Sequence, residues 1–261
     1  MNITIIQTSV DEITVESNFN TILSNIRVVE KTDLIVLPEL CFTGYNYENI
    51  KIWASKSDLI FNALKNEAQR IGCYIIAGTY GINENDKFYN RSVVICPEGY
   101  CQNKYDKIHL FKPLSEDTFF CGGSSLCSFN YNENWKIGLG ICYDLRFPEL
   151  FRIYFENDIN LMILPSAWPY SRIEVMKKLA IARAIENQCY FVTCNRSSKN
   201  HSEITYGGNS LVISPNGDIV ASCGVIDDVC NVNLDLDVVK NTRSILKCKT
   251  DRRKDIYDIK Y

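Results

Sequence analysis

The chain has 261 residues, 46% hydrophobic and 23% charged, which is enough apolar material for a sizeable core and excludes a disordered or low-complexity protein. Its formal net charge is −3 with no long run of one sign, which argues against nucleic acid or an anionic membrane surface as a partner. No apolar run approaches the roughly 20 residues that span a bilayer, and the N-terminus lacks the basic start and cleavage site of a signal peptide, so a cytoplasmic protein is expected.

Residues 2–9 read as a short apolar strand. Positions 17–30 carry Phe19, Ile22, Leu23, Ile26 and Val29 at helical spacing. A second strand, 33–37, runs directly into Pro38-Glu39-Leu40, and a loop is expected over 41–52, with Gly44, Phe42, Tyr45 and Tyr47. A helix over 57–71 closes at Gly72, a strand covers 73–79, and 89–96 with 100–105 form a hairpin turning at Pro97-Glu98-Gly99. After the loop 107–134, Ile137 to Ile141 is an apolar run relieved only by glycine, which fits a buried strand ending at Cys142. Tyr143 to Arg146 turns into a helix over 147–156, where Pro148 is tolerated in the first turn and Glu149 suits the positive end of the helix dipole. A strand at 160–164 precedes an amphipathic helix over 172–187, with Ile173, Met176, Leu179, Ala180 and Ala184 on one face. The strand 189–194, a hairpin of 208–214 with 218–223 around Asn216-Gly217, and a strand 229–234 follow. The basic tail 240–261 is read as irregular or helical, and able to pack on a partner subunit. Strand–helix–strand units alternating with hairpins imply an α/β fold with mixed sheets, and about a dozen strands imply two packed sheets. Without a linker or close repeat, one domain over 1–261 is the expected count.

The twelve cysteines fit reduced thiols better than a disulfide framework. No Cys-x-x-Cys pair occurs, so neither structural zinc nor a thioredoxin-type motif is expected, and Cys73, Cys96, Cys189 and Cys194 lie in apolar runs as core residues. Asn-x-Ser triplets at Asn90, Asn195 and Asn200 carry no weight in a protein that is not secreted. Cys142 differs by its place. A thiol on a strand-to-helix elbow points out of the sheet toward free backbone N–H groups, which favour a thiolate and can hold an oxyanion. A nucleophilic thiol also needs a base or a cation. The chain has two histidines, His109 in an apolar setting and His201 in a polar loop, and neither has the flanks of a Cys–His protease. Glu39 at the mouth of strand 33–37 and Lys107 just past strand 100–105 are the more economical partners, with Glu116 in the loop nine positions on. Taken singly, each could be a surface charge. Together with Cys142 they lie beyond strand ends, where one edge of a sheet would gather them.

Leu37-Pro38-Glu39-Leu40, Tyr105-Asp106-Lys107-Ile108-His109-Leu110-Phe111 and Gly140-Ile141-Cys142-Tyr143-Asp144-Leu145-Arg146-Phe147-Pro148-Glu149 resemble, in order, the three signature blocks of the nitrilase superfamily of carbon–nitrogen hydrolases. The resemblance extends to residues 182–188, to Tyr206-Gly207-Gly208-Asn209-Ser210 and to 252–257, nearly the whole chain. It implies a four-layer αββα sandwich with helices outside, and a homodimer or higher homo-oligomer joined through helices near the nucleophile. It also implies a Glu–Lys–Cys triad of Glu39, Lys107 and Cys142, with Glu116 rather than Asp117 as a second functional glutamate. Thioester chemistry at such a site calls for a small amide and water, and for no metal or organic cofactor. The backbone N–H of Tyr143 would share the oxyanion with Lys107.

Within the superfamily the chain is most similar to ω-amidases, which act on monoamides of dicarboxylic acids. The stretches His109-Leu110-Phe111, Ser115-Glu116, residues 165–172 and Asn195-Arg196 support this. A related amidase for N-carbamoyl amino acids or deaminated peptides is the alternative, and a non-catalytic or thiol-sensing protein a more distant one. A second carboxylate on the substrate suits the planar fork of arginine, with Arg172 and Arg146 as candidates. Arg146 could instead hold an ion pair with Glu149 or a partner subunit. Trp168 and Tyr45 could wall the pocket or belong to the core.

Overall fold

The computed structural model describes residues 1–199 and 205–256, so His201, the triplet at Asn200 and the tail from Tyr257 onward lie outside the described residues. The first half runs β1 (Asn2–Gln7), α1 (Val15–Arg27), β2 (Leu34–Val36), α2 (Tyr47–Ala54), α3 (Ser57–Ile71), β3 (Tyr74–Ile76), β4 (Tyr80–Glu84), β5 (Lys87–Ile95) and β6 (Cys101–Asp106). A short α4 (Glu116–Phe119), β7 (Ser128–Asn130) and β8 (Lys136–Leu139) lead to a 3₁₀ turn over Cys142–Arg146 and α5 (Pro148–Glu156). The second half continues with β9 (Leu161–Ser166), α6 (Ile173–Asn187), β10 (Tyr190–Asn195), β11 (Leu211–Ile213), β12 (Ile219–Ser222), β13 (Asp228–Asn233), α7 (Leu236–Ile245) and α8 (Cys248–Asp251).

The strands form two mixed sheets. One has the order β13-β1-β2-β3-β5-β4, with β6 on the free edge of β5, and the other β12-β11-β10-β9-β8-β7. Within them β1, β2 and β3 are mutually parallel, as are β8, β9 and β10, and the flanking pairs are antiparallel. Period-two alternation sets the layers. Ile3, Ile5, Leu34, Val36 and Ile76 of the first sheet face Leu139, Ile163, Val192 and Val212 of the second. Their neighbours Ile6, Ile35, Leu37, Ile75 and Ala77 turn outward against Ile22 and Ile26 of α1 and Leu64 and Ala68 of α3. Beyond the second sheet, Leu150 and Phe151 of α5 and Met176, Ala180 and Ala184 of α6 close the outer face. Each such aliphatic or aromatic side chain contributes about 1.5–3 kcal/mol on burial. The result is the expected order of helices, sheet, sheet and helices.

The expected loop 41–52 is in part helical. Asn46 caps α2 by accepting from the N–H groups of Glu48 and Asn49, a local signal that the surrounding aromatics obscured. The strands β4 and β7 were also not foreseen, and the helix α7 begins four residues before the tail read as irregular or helical. β4 reads Tyr-Gly-Ile-Asn-Glu and β7 Ser-Phe-Asn, so neither has a sustained apolar pattern. The tail helices run back along the same chain: Arg243 donates to the carbonyl of Ile159, Lys249 pairs with Asp158, and Arg252 pairs with Glu156. Among the described residues no helix is long and apolar enough to cross a membrane.

Candidate active site

Three loops at one end of the two layers carry the charged residues. Glu39 follows β2 by three positions. The chain there is turned by Leu40 at a φ of +45° and pinned by Thr79, whose hydroxyl accepts from the Leu40 N–H at 2.9 Å. Gly78 makes that approach possible: its φ is +57°, and a Cβ on it would lie 2.0 Å from the carbonyl oxygen of Pro38. Lys107 leaves the end of β6, held by its N–H to the carbonyl of Asn90 at 3.0 Å and by its own carbonyl to the N–H of Gly123 at 2.9 Å. Glu116 opens α4, and its Oε2 accepts from the backbone N–H of Phe111 at 2.6 Å. Asp117, its neighbour, is exposed.

These side chains converge. Lys107, Glu39 and Glu116 are all fully buried, and Lys107 Nζ reaches Glu39 Oε1 at 2.7 Å and Glu116 Oε2 at 2.8 Å. Burial alone would drive the ammonium toward its neutral form, but the two carboxylates outweigh it and hold Lys107 charged well above the ordinary lysine range. Glu116 is raised, first by burial and against the pull of Lys107, with the charge of Glu39 adding to the rise. Glu39 Oε1 also accepts from Asn90 Nδ2 at 2.9 Å, while its Oε2 is buried with no hydrogen-bond partner.

Cys142 stands at the end of β8, on the facing sheet. Its φ is +45°, a conformation L-residues adopt at a cost of about 1–3 kcal/mol and one that recurs at functional sites. The thiol is pushed well above the ordinary range, first by burial and then by the Glu39 carboxylate, while Lys107 and the backbone N–H of Ala167 pull it down. The resting arrangement is thus a neutral thiol set against a carboxylate and an ammonium. The phenol of Tyr45 is also raised, by burial first and then by Glu39, Glu116 and Cys142, which places it at the same centre. Tyr206, quoted above only as part of a longer resemblance, is raised by burial and carries the influence of both Glu39 and Cys142.

The remaining candidates divide. Trp168 is buried beside Ala167, its indole N–H without a partner, and the exposed Arg146 guanidinium lies over its ring at 5.1 Å. Tyr143 is half-buried, with its ring against Phe111 and Phe147. Arg172 is exposed at the start of α6, and among the described residues no hydrogen bond or ion pair joins its side chain to the cluster. Two groups at the centre escaped the sequence reading. Asn90 was seen only as an Asn-x-Ser triplet, yet it is fully buried against Glu39, and Asn195, of the same pattern, is buried too. Asp144 is fully buried in the elbow itself. All twelve cysteines are unpaired.

The family model described as "Carbon-nitrogen hydrolase" matches residues 2–244 of this chain. A Bacillus subtilis protein named 2-oxoglutaramate amidase is 34% identical over 226 residues, covering 86% of each chain. A 2-oxoglutaramate amidase of Paenarthrobacter nicotinovorans is 34% identical over 89% of this chain and 82% of its own. Among solved structures, Saccharomyces cerevisiae Nit3, described as a member of branch 10 of the nitrilase superfamily, superposes with a TM-score of 0.87 at 26% identity, covering 97% of this chain and 96% of its own.

Proposed function

We propose that this chain, which belongs to the carbon–nitrogen hydrolase family, uses Cys142 to release ammonia from the monoamide of a small dicarboxylic acid, such as 2-oxoglutaramate. The buried Glu39–Lys107–Glu116 cluster set against Cys142 supports this reading most strongly. Glu39 takes the thiol proton through its unpartnered oxygen, and the thiolate attacks the amide carbon. Lys107 and the backbone N–H of Tyr143 stabilise the tetrahedral oxyanion, where a donor of this kind lowers the barrier by about 3 kcal/mol. Glu39 then protonates the leaving ammonia and activates the water that opens the thioester. Glu116 holds Lys107 in place, and the steps need no metal or organic cofactor.

Tyr45 and Trp168 wall the pocket, and Arg146, lying over Trp168, takes the distal carboxylate. Both arginines are exposed, and the position of Arg146 over the Trp168 ring makes it the stronger of the two for that task. The enzyme is read as cytoplasmic and homodimeric, joined through α5 and α6 next to the nucleophile.

Ammonia release from 2-oxoglutaramate, glutamine, an N-carbamoyl amino acid and deaminated glutathione tests the proposal. The dicarboxylic monoamide should be turned over fastest, and Cys142→Ala should abolish release with the fold intact. Turnover retained by that variant overturns the nucleophile. A preference for the carbamoyl compound or the deaminated peptide moves the enzyme to the neighbouring specificity. Arg146→Ala should weaken discrimination between carboxylated and neutral amides; an unchanged ratio removes Arg146 from the pocket.

A further inference from the structure

Asp144 is a fully buried carboxylate that the reaction scheme above does not use. Burying a charge is unfavourable unless it is well paired and hydrogen-bonded, and Asp144 is bonded on every side. Its Oδ2 accepts from the phenol of Tyr105 at 2.7 Å and from the backbone N–H of Ile141 at 2.8 Å. Its Oδ1 faces the backbone N–H of His109 at 3.0 Å and His109 Nδ1 at 2.7 Å.

The partners fall into two groups. Ile141 directly precedes the nucleophile, in the strained elbow. Tyr105 and His109 lie two residues before and two residues after Lys107. One carboxylate thus ties both flanks of the ammonium, which hang from the first sheet, to the backbone just before the thiol, which hangs from the second. The His109 ring is further clamped on Phe147, the residue at which the elbow passes into α5, with centroids 3.6 Å apart and planes 7° from parallel. The side chain of Lys107 has ion-pair partners in Glu39 and Glu116, but neither glutamate belongs to the elbow.

We infer that Asp144 is a positioning residue that sets the register of Lys107 against Cys142 through Tyr105 and His109. The inference rests on the proposed use of Lys107 and Cys142 in catalysis. Asp144 touches neither substrate nor reacting atom. Its effect is to keep the ammonium within reach of both the thiolate and the oxyanion, where displacement by about 1 Å costs up to a hundredfold in rate.

Tyr105→Phe removes a single hydrogen bond from Asp144, and Asp144→Asn removes the charge at nearly constant shape. Each should lower kcat about tenfold or more with little change in KM, because ground-state contacts with the amide are untouched. Each should also shift the acidic limb of Cys142 alkylation by iodoacetamide to higher pH, by about half a unit or more, because the thiolate loses part of its cation. Tyr154→Phe is the control: its phenol is equally buried and donates to the carbonyl of Leu139 at 2.6 Å, with no hydrogen bond to Asp144 among the described residues. It should lower the melting temperature and leave both kinetic readouts unchanged. Should Asp144→Asn fail to fold, Tyr105→Phe decides alone. The inference is overturned if folded Tyr105→Phe keeps the wild-type kcat and alkylation profile, or if its losses match those of Tyr154→Phe. Failure of the catalytic reading would show separately, as turnover surviving Cys142→Ala.

Discussion

One oxygen of the Glu39 carboxylate takes two donors, Lys107 Nζ and Asn90 Nδ2, and the other takes none. That asymmetry fixes the orientation of the group and leaves a single lone-pair face for an incoming proton. Asn90→Ala should therefore lower kcat about tenfold, with KM little changed, as the carboxylate gains freedom to turn; an unaltered kcat in the folded variant would leave Lys107 as its only guide. Lys107→Met removes both the cation of the oxyanion site and the counter-charge of two buried carboxylates. Its kcat should fall by about two orders of magnitude or more, and its melting temperature should fall as well. Glu39, Lys107 and Cys142 were legible as candidates because each stands in a short block just beyond a strand, and Glu116 only through the resemblance, in the loop that follows. Asn90 was not: an Asn-Arg-Ser triplet carries no mark of burial, and only the pairing of β5 with β4 and β6 places it inside. Arg172 and Arg146 could not be ranked from the sequence, since a side chain at a helix start reads the same whether it faces a pocket or solvent.

Between the residues and the layers stand the elements that aim them. Gly78 is one such point. Gly78→Ala would force a Cβ against the Pro38 carbonyl at a positive φ, so it should destabilise the protein by about 1–3 kcal/mol and displace Glu39, lowering kcat alongside the melting temperature. Arg91, buried in β5, joins three strands by pairing with Glu84 of β4 and Asp106 of β6, the residue before Lys107. The hydrogen bond from Arg91 holds the Glu84 carboxyl down to about 2, against a smaller opposing effect of burial. A carboxylate depressed in this way contributes its full stabilisation above the unfolded range near ~4.3 and loses it as pH falls toward the folded value. Urea melts between about pH 5 and 2 should show wild type losing more stability than Glu84→Gln, by a modest amount because Glu84 is half-exposed to solvent. Parallel slopes would mean that Arg91 is satisfied by Asp106 alone. At this scale the long apolar strands and periodic helices were readable, whereas α2 and β4 depended on a cap and a pairing partner that local pattern does not reveal.

The two sheets meet through more than apolar contact. Ser197 donates its N–H to the carbonyl of Thr8 at 3.1 Å, Ser210 reaches Gln7 Oε1 through its hydroxyl at 2.8 Å, and the thiol of Cys194 points at the carbonyl of Val36 at 3.3 Å. The sandwich could be inferred from strand number and from the resemblance of the signature blocks. The strand order could not, because alternation says which face a strand buries but not which neighbour it pairs with. The proposed base and cation hang from one sheet and the thiol from the other, so activity should vanish in the same urea transition as the far-UV signal of the strands. Activity lost at clearly lower urea would instead show that the loops melt before the layers part.

The same division has a mechanical consequence. The spacing between thiol and ammonium belongs to neither sheet but to the offset of one against the other, so the reactivity of Cys142 is a gauge of interlayer sliding. A substitution deep between the sheets, at Val36 or Val192, would be read out at the sulfur as a change in alkylation rate before any loss of secondary structure.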